Sequence, residues 1–293
     1  MRYHIIHRTT YTYASPVTVC HYTARLEPRA LPFQECPWHE MTIHPEPVQR
    51  TELIDYFGNS HVYFEIAGSH QKLEVIARSL VEVRRSIPFD TRTTPPWESV
   101  RDACRNQCFN PASTAGELTH ASPLIPVGPA FADYARGSFP AERPILEAVC
   151  DLNRRIHTDF IFDPAATDSA TPVEEVLKKR RGVCQDFAQV MIACIRSLEL
   201  PARYVSGYLE TMPPPGQTKL VGADASHAWV SVYCGETIGW MDADPTNNVL
   251  PSDRHVTLAW GRDFSDVSPL RGVTIGAGEQ RLDVAVDVLP LSE

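Results

Sequence analysis

Lysine is scarce. Of 27 basic residues only Lys72, Lys178, Lys179 and Lys219 are lysines, a compositional bias to which no functional weight attaches. Basic residues are also outnumbered by 36 acidic ones, for a net charge of −9. That balance lacks the cationic surface that general nucleic-acid or anionic-membrane binding needs, so neither is expected as a partner. No segment approaches the ~20 apolar residues required to span a bilayer. The start, Met1-Arg2-Tyr3-His4-Ile5-Ile6-His7-Arg8, has no signal-peptide apolar run. A cytoplasmic setting with reduced cysteines is therefore the expectation. The eight cysteines among 293 residues are too few for a disulfide scaffold, and none forms a Cys-x-x-Cys. Cys104 and Cys108 lie one helical turn apart, but no Cys/His pair stands nearby at finger-like spacing. Buried or surface thiols are the simpler account, and no metal or cofactor is expected.

What is present fits a folded chain of two domains, taking ~150 residues per domain. The hydrophobic fraction of 43% and charged fraction of 22% exclude global disorder. Residues 1–88 read as an antiparallel β-sandwich. Tyr3–His7, Thr9–Tyr13, Glu40–His44 and Leu73–Ala77 are short, β-rich and partly alternating, with Ser15-Pro16, Pro45-Glu46-Pro47 and Phe57-Gly58-Asn59 as turns. Residues 89–139 read as a Pro-rich connecting segment with one helix near Trp97–Cys108.

Residues 140–293 read as an α+β domain with helices packed on an antiparallel sheet. Ile145, Leu146, Val149, Leu152 and Ile156 make an apolar helical stripe. Thr171-Pro172-Val173-Glu174-Glu175 predicts a helix start with Thr171 as the capping hydroxyl, and the run to Gly182 predicts its end. Cys184–Leu198 is apolar on nearly every side after its first turn, which predicts a central buried helix stopped by Pro201. Strands are expected at Ala202–Glu210, His227–Cys234, Gly239–Asp242 and Val256–Trp260. The strictly alternating Leu282–Val288 predicts one more.

Cys184 stands out by position. It opens the buried helix, where unpaired N–H groups and the positive dipole end favour a thiolate. Cys194, in mid-helix, reads as a small core hydrophobe. A thiol nucleophile needs a base, and the base an orienting partner. His227 begins an alternating strand, and a short loop at Gly235–Thr237 suggests a hairpin leading to the acidic turn Asp242-Ala243-Asp244. A Cys, His, Asp order is workable there, though other histidines compete on physical grounds alone.

Taken together, Gly182-Val183-Cys184-Gln185-Asp186-Phe187-Ala188, Pro201-Ala202-Arg203-Tyr204-Val205-Ser206-Gly207-Tyr208, His227-Ala228-Trp229-Val230 and Asp244-Pro245-Thr246-Asn247 resemble the transglutaminase-like, papain-like cysteine-enzyme superfamily. The match is to its bacterial transglutaminase-like proteins, often described as cysteine proteases. His7–Tyr13, Arg25-Leu26-Glu27-Pro28-Arg29 and Asp55–Asn59 resemble that group's N-terminal β domain, and Gly261–Pro269 its C-terminal signature. Phe162 and Phe264 depart from the pattern, standing where relatives often have Tyr.

The resemblance implies a papain-like core and amide chemistry through a Cys184 thioester, with His227 as base and Asp244 as orienting carboxylate. Asp242 is the fallback carboxylate. Trp229 is a candidate cleft wall or a packed aromatic, and Arg262 and Asp263 are candidate cleft residues or an exposed ion pair. Asp186 is expected to cap its helix. The implied partner is a peptide or protein bearing a carboxamide or peptide bond, with water or an amine as acyl acceptor. A papain-like module that binds peptides without turnover is the alternative from another class. The implied mechanism requires no metal, and no acidic calcium loop is recognisable.

Overall fold

Where the sequence suggests several short N-terminal strands, the backbone runs in a few long ones. The computed structural model describes residues 1–85, 90–107, 115–168, 170–211, 225–276 and 278–291. It opens with β1 (Arg2–Ala24), β2 (Gln34–His44), β3 (Gln49–Ile54) and β4 (Ser60–Val83), so that Tyr3–His7 and Thr9–Tyr13 are parts of one strand. Helices α1 (Trp97–Gln107), α2 (Pro129–Arg136) and α3 (Ile145–Asp159) follow. Next come β5 (Ile161–Phe162), α4 (Val173–Lys179), β6 (Arg181–Gly182) and α5 (Cys184–Ser197). Then β7 (Ala202–Leu209), β8 (Ala225–Tyr233), β9 (Trp240–Ala243) and β10 (His255–Gly261) precede α6 (Phe264–Val267), β11 (Leu270–Ile275) and β12 (Gln280–Pro290). Cys108, half of the candidate thiol pair, lies outside the described residues.

The first sheet is six-stranded, with β1 and β4 at its centre. Both central strands serve two halves. β12 pairs the first part of β1 and β11 its last part, while β3 and β2 pair the start and end of β4. Register shifts around Val17 interrupt the β1–β4 ladder between the halves, as bulges do where strands bend. Tyr22 and Phe64 from one half and Met41 and Leu73 from the other meet in one apolar core. The expected sandwich is thus a single continuous sheet, and residues 1–88 do not complete it. β11 and β12, expected with the second domain, supply two of its outer strands. The physical reason is that an alternating strand such as β12 needs a face to cover, here through buried Val286 and Val288, and alternation does not say which sheet provides it.

The second core forms around α5, whose residues from Asp186 to Arg196 are all buried. It packs on β7 and β8, with α2 and α4 alongside. These strands belong to an antiparallel sheet of order β10-β7-β8-β9. The stripe of α3 is fully enclosed, with Ile145, Leu146, Val149, Leu152 and Ile156 all at 0% exposure. Each such side chain contributes roughly 1.5–3 kcal/mol by leaving water. The start of α4 differs from expectation. Pro172 is its N-cap, and the Thr171 hydroxyl donates to Asp168 instead. The helix ends at Arg180, in the left-handed region at φ 55°, ahead of Gly182.

Two side-chain amides join the sheets. Gln34 accepts from the Thr257 N–H and donates to its carbonyl, both at 2.8 Å. Asn59 treats Trp260 in the same way, at 3.0 and 2.8 Å. β10 is an edge strand, and these amides satisfy edge groups that would otherwise invite another strand. Among the described residues no helix is long and apolar enough to cross a membrane.

Candidate active site

Cys184 is the first residue of α5, partly buried at the mouth of the helix. Asp186 shapes that mouth: its Oδ2 accepts from the Val183 N–H at 2.8 Å and the Thr167 hydroxyl at 2.6 Å. A Cβ on Gly182 would stand 2.4 Å from that same oxygen, so the close turn into the helix admits only glycine. Asp186 therefore caps the helix as expected, and its burial raises its carboxyl above the usual range.

The sheet delivers the histidine. β8 pairs antiparallel with β7 and β9, and alternation puts His227 and Trp229 on one face while Ala228, Val230 and Val232 enter the core with α5. Asp244 lies just beyond β9, completely buried. His227 Nε2 and Asp244 Oδ2 are 2.7 Å apart. The imidazole also hydrogen-bonds Cys184. Cys184, His227 and Asp244 are thus brought together from a helix start, a strand and a turn.

Asp244 is held by more than His227. Its Oδ1 accepts from the backbone N–H groups of Thr246 (2.9 Å) and Asn247 (3.2 Å), and its Oδ2 from the Asn247 amide at 2.7 Å. His255, at the start of β10, brings its Nε2 to 3.1 Å from the same Oδ2. The Ser252 N–H points at His255 Nδ1, 3.4 Å away, which leaves Nε2 as the protonated nitrogen. Burial alone would raise the Asp244 carboxyl, but donors from His227, His255 and Asn247 prevail and hold it far below the usual carboxylate range. Burial likewise opposes charge on His227, yet its bonds to Asp244 and Cys184 outweigh that and raise it to about 10. His255 goes the other way: burial lowers it despite Asp244.

His227, Asp244 and His255 gather ligand atoms within 4.8 Å, the one such group that could hold a metal among the described residues. The 2.7 Å separation of His227 Nε2 and Asp244 Oδ2 is a hydrogen-bond length. Two ligands of a tetrahedral zinc at ~2.0–2.1 Å would stand over 3 Å apart. The cluster is arranged to share protons.

The secondary candidates lie elsewhere. Asp242 lies on the His227 face of the sheet but bonds other partners. Its Oδ2 accepts from the Trp229 indole N–H at 3.0 Å and from Arg85 at 2.7 Å. Trp229 is fully buried, with its ring 5.3 Å from that of His255 and 6.0 Å from that of His227, so it packs beneath the site and does not wall the cleft. Gly207 makes room for it: a Cβ there would lie 2.4 Å from the indole. Arg262 makes a two-pronged pair with Asp266 on the surface, both bonds at 2.9 Å. Phe264 lines the cleft beside Cys184, whereas Phe162 is half exposed.

The cleft at Cys184 and His227 has a volume of about 600 Å³. His255 and His7 were not singled out in the sequence. For His255 the available signal was a histidine opening a strand soon after the acidic turn. His7 opens the His7–Tyr13 stretch without any local sign of a place at the site, and its contact with Tyr208 of β7 ties it to the cleft.

Two family models match the chain: the bacterial transglutaminase-like N-terminal region over residues 3–82 and the transglutaminase-like superfamily core over residues 132–245. An uncharacterized protein of Mycobacterium tuberculosis is 40% identical over 99% of this chain and 93% of its own length. The chain belongs to the transglutaminase-like superfamily. An uncharacterized protein of Mycobacterium leprae is 31% identical, with 99% of both chains covered. The crystal structure of a candidate cysteine protease from Cytophaga hutchinsonii covers 100% of this chain and 92% of its own at TM-score 0.74 and 17% identity, and so shares the fold. The match to the transglutaminase-like core holds Cys184, His227 and Asp244 and stops before His255.

Proposed function

We propose that this transglutaminase-like protein is a cysteine-dependent amide-bond enzyme, with Cys184 as nucleophile, His227 as proton carrier and Asp244 as orienting carboxylate. The observation that carries it is the 2.7 Å bond from His227 to a buried Asp244, with the same imidazole hydrogen-bonded to Cys184. A histidine held protonated at neutral pH keeps its proton ready for a leaving group. The Cys184 sulfur, as thiolate, attacks the carbonyl carbon, and the oxyanion meets N–H groups at the start of α5. His227 gives its proton to the departing amine as the C–N bond breaks. Water, deprotonated by His227, then attacks the thioester, and the acid leaves as the thiol is restored. An amine in place of water would give transfer. A cytoplasmic setting belongs to the same reading, because a reducing environment preserves the thiol; cell fractionation tests it.

The deciding experiment treats the protein with iodoacetamide and with a peptide library, with and without added amine, and reads products by mass spectrometry. Cys184 is expected to label far faster than Cys194, which is fully buried and whose thiol burial pushes well up. Cys184→Ala should abolish turnover. Equal labelling of the two cysteines, or turnover unchanged in Cys184→Ala, overturns the reading.

A further inference from the structure

Three registered pairs of the β1–β12 ladder enter the cleft: Tyr11 opposite Leu282, Thr9 opposite Val284 and His7 opposite Val286. Alternation puts all six side chains on one face. The two ends of the chain therefore build one wall of a cavity that also holds Cys184 and His227. Exposure grades along β12. Val286 is 1% exposed, while Leu282 and Val284 are each 50% exposed. Phe264 and Leu270 add apolar surface to the same cleft.

This wall carries no charge. Both ring nitrogens of His7 are occupied, Nδ1 by the Tyr208 hydroxyl at 3.0 Å and Nε2 by the Thr9 hydroxyl at 2.9 Å. Burial lowers His7 to about 4, so it is neutral near pH 7 and is not a second base. Among the described residues lining the cleft there is no Asp, Glu, Lys or Arg. A charged side chain seated on the β1–β12 wall would lose water and find no counter-ion among the wall's own residues, whereas an apolar one gains by leaving water.

We propose that the β1–β12 wall is the subsite for side chains flanking the reacting amide, and that the substrates are peptides with aliphatic or aromatic residues there. Acidic and basic neighbours are rejected. The inference rests on the cysteine-enzyme reading for its chemistry, but its binding arm does not depend on turnover.

The test measures fluorescence-anisotropy binding of labelled peptides to the Cys184→Ala protein. The peptides share a Gln carboxamide and carry Leu, Phe, Asp or Lys beside it. The Leu and Phe peptides are expected to bind at least tenfold more tightly than the Asp and Lys peptides. Adding Leu282→Asp or Val284→Asp should erase that preference. Both positions are half exposed, so the fold tolerates the change, and an unaltered melting temperature checks it. Equal binding of all four peptides, or a preference that survives both substitutions, overturns the proposal. Apolar preference in binding without turnover by the unmodified protein would sink the enzyme reading and leave the subsite standing.

Discussion

His255 and His227 share one oxygen. Both bring Nε2 to Asp244 Oδ2, at 3.1 and 2.7 Å, and the carboxylate between them is completely buried. The two imidazoles play opposite electrostatic parts. His227 is raised by Asp244 and Cys184 against its burial, while His255 is lowered by burial and donates as a neutral ring.

His255 is therefore expected to act as a positioning residue. In His255→Ala, Asp244 loses one donor and its carboxyl rises towards the ordinary range. The acid limb of the pH–rate profile should shift to higher pH, with kcat/KM down about tenfold, the scale of one hydrogen bond to a charged group. His255→Gln, which keeps an N–H donor, should recover part of the loss. A purely structural role would lower activity without moving the limb.

His7 makes folding sensitive to acid. Its folded value of about 4 lies below the 6.5 of an unfolded histidine, so between those values only the unfolded chain takes up the proton. Stability should be complete above pH ~6.5 and fall as pH drops towards 4, by about 2–3 kcal/mol at the acid end. Urea unfolding of His7→Gln at pH 7 and pH 4.5 checks this: the variant should lose less stability between the two than the parent does.

Arg85 neutralises Asp242 beneath the site, at 2.7 Å, with 11% and 12% of the two side chains exposed. Removing Arg85 takes away the cation bonded to Asp242 and leaves this desolvated carboxylate with Arg203 as its remaining counter-charge. Arg85→Ala should cost about 3–5 kcal/mol, read by chemical denaturation, and Asp242→Asn together with Arg85→Leu should cost much less. The Trp229 indole, which donates to Asp242, provides a fluorescence signal for any local loosening.

Gln34 and Asn59 hold the two sheets together through the backbone of β10. Each is at most 1% exposed, so truncation strands buried N–H and carbonyl groups. Gln34→Ala and Asn59→Ala should each cost about 1–3 kcal/mol. Because the β1–β12 wall faces the cleft, they should also raise KM more than they lower kcat.

Much of the second core was legible in the residues. The stripe Ile145, Leu146, Val149, Leu152, Ile156 has the period of a helix, and the apolar run after Cys184 could only be a buried one, so their elements follow from local spacing. The strands carrying His227 and preceding Asp244 were legible for the same reason. What escaped was partnership. Leu282–Val288 reads as a strand, but its pairing with β1 depends on an edge some 270 residues away in sequence. Asp242 and Asp244 share an alternation pattern, yet Arg85 and Trp229 claim the first and two histidines the second.

By itself the sequence determined the elements, the order Cys184, His227, Asp244 and the placement of a thiol at a helix mouth, because periodicity, capping and motif spacing act over a few residues. Tertiary structure alone decided that Asp244, not Asp242, bonds His227, that His255 bonds the same carboxylate oxygen and that the chain's two ends wall the cleft. Those outcomes depend on which distant groups compete for the same buried oxygen or the same sheet edge, and that competition is resolved only when the chain packs.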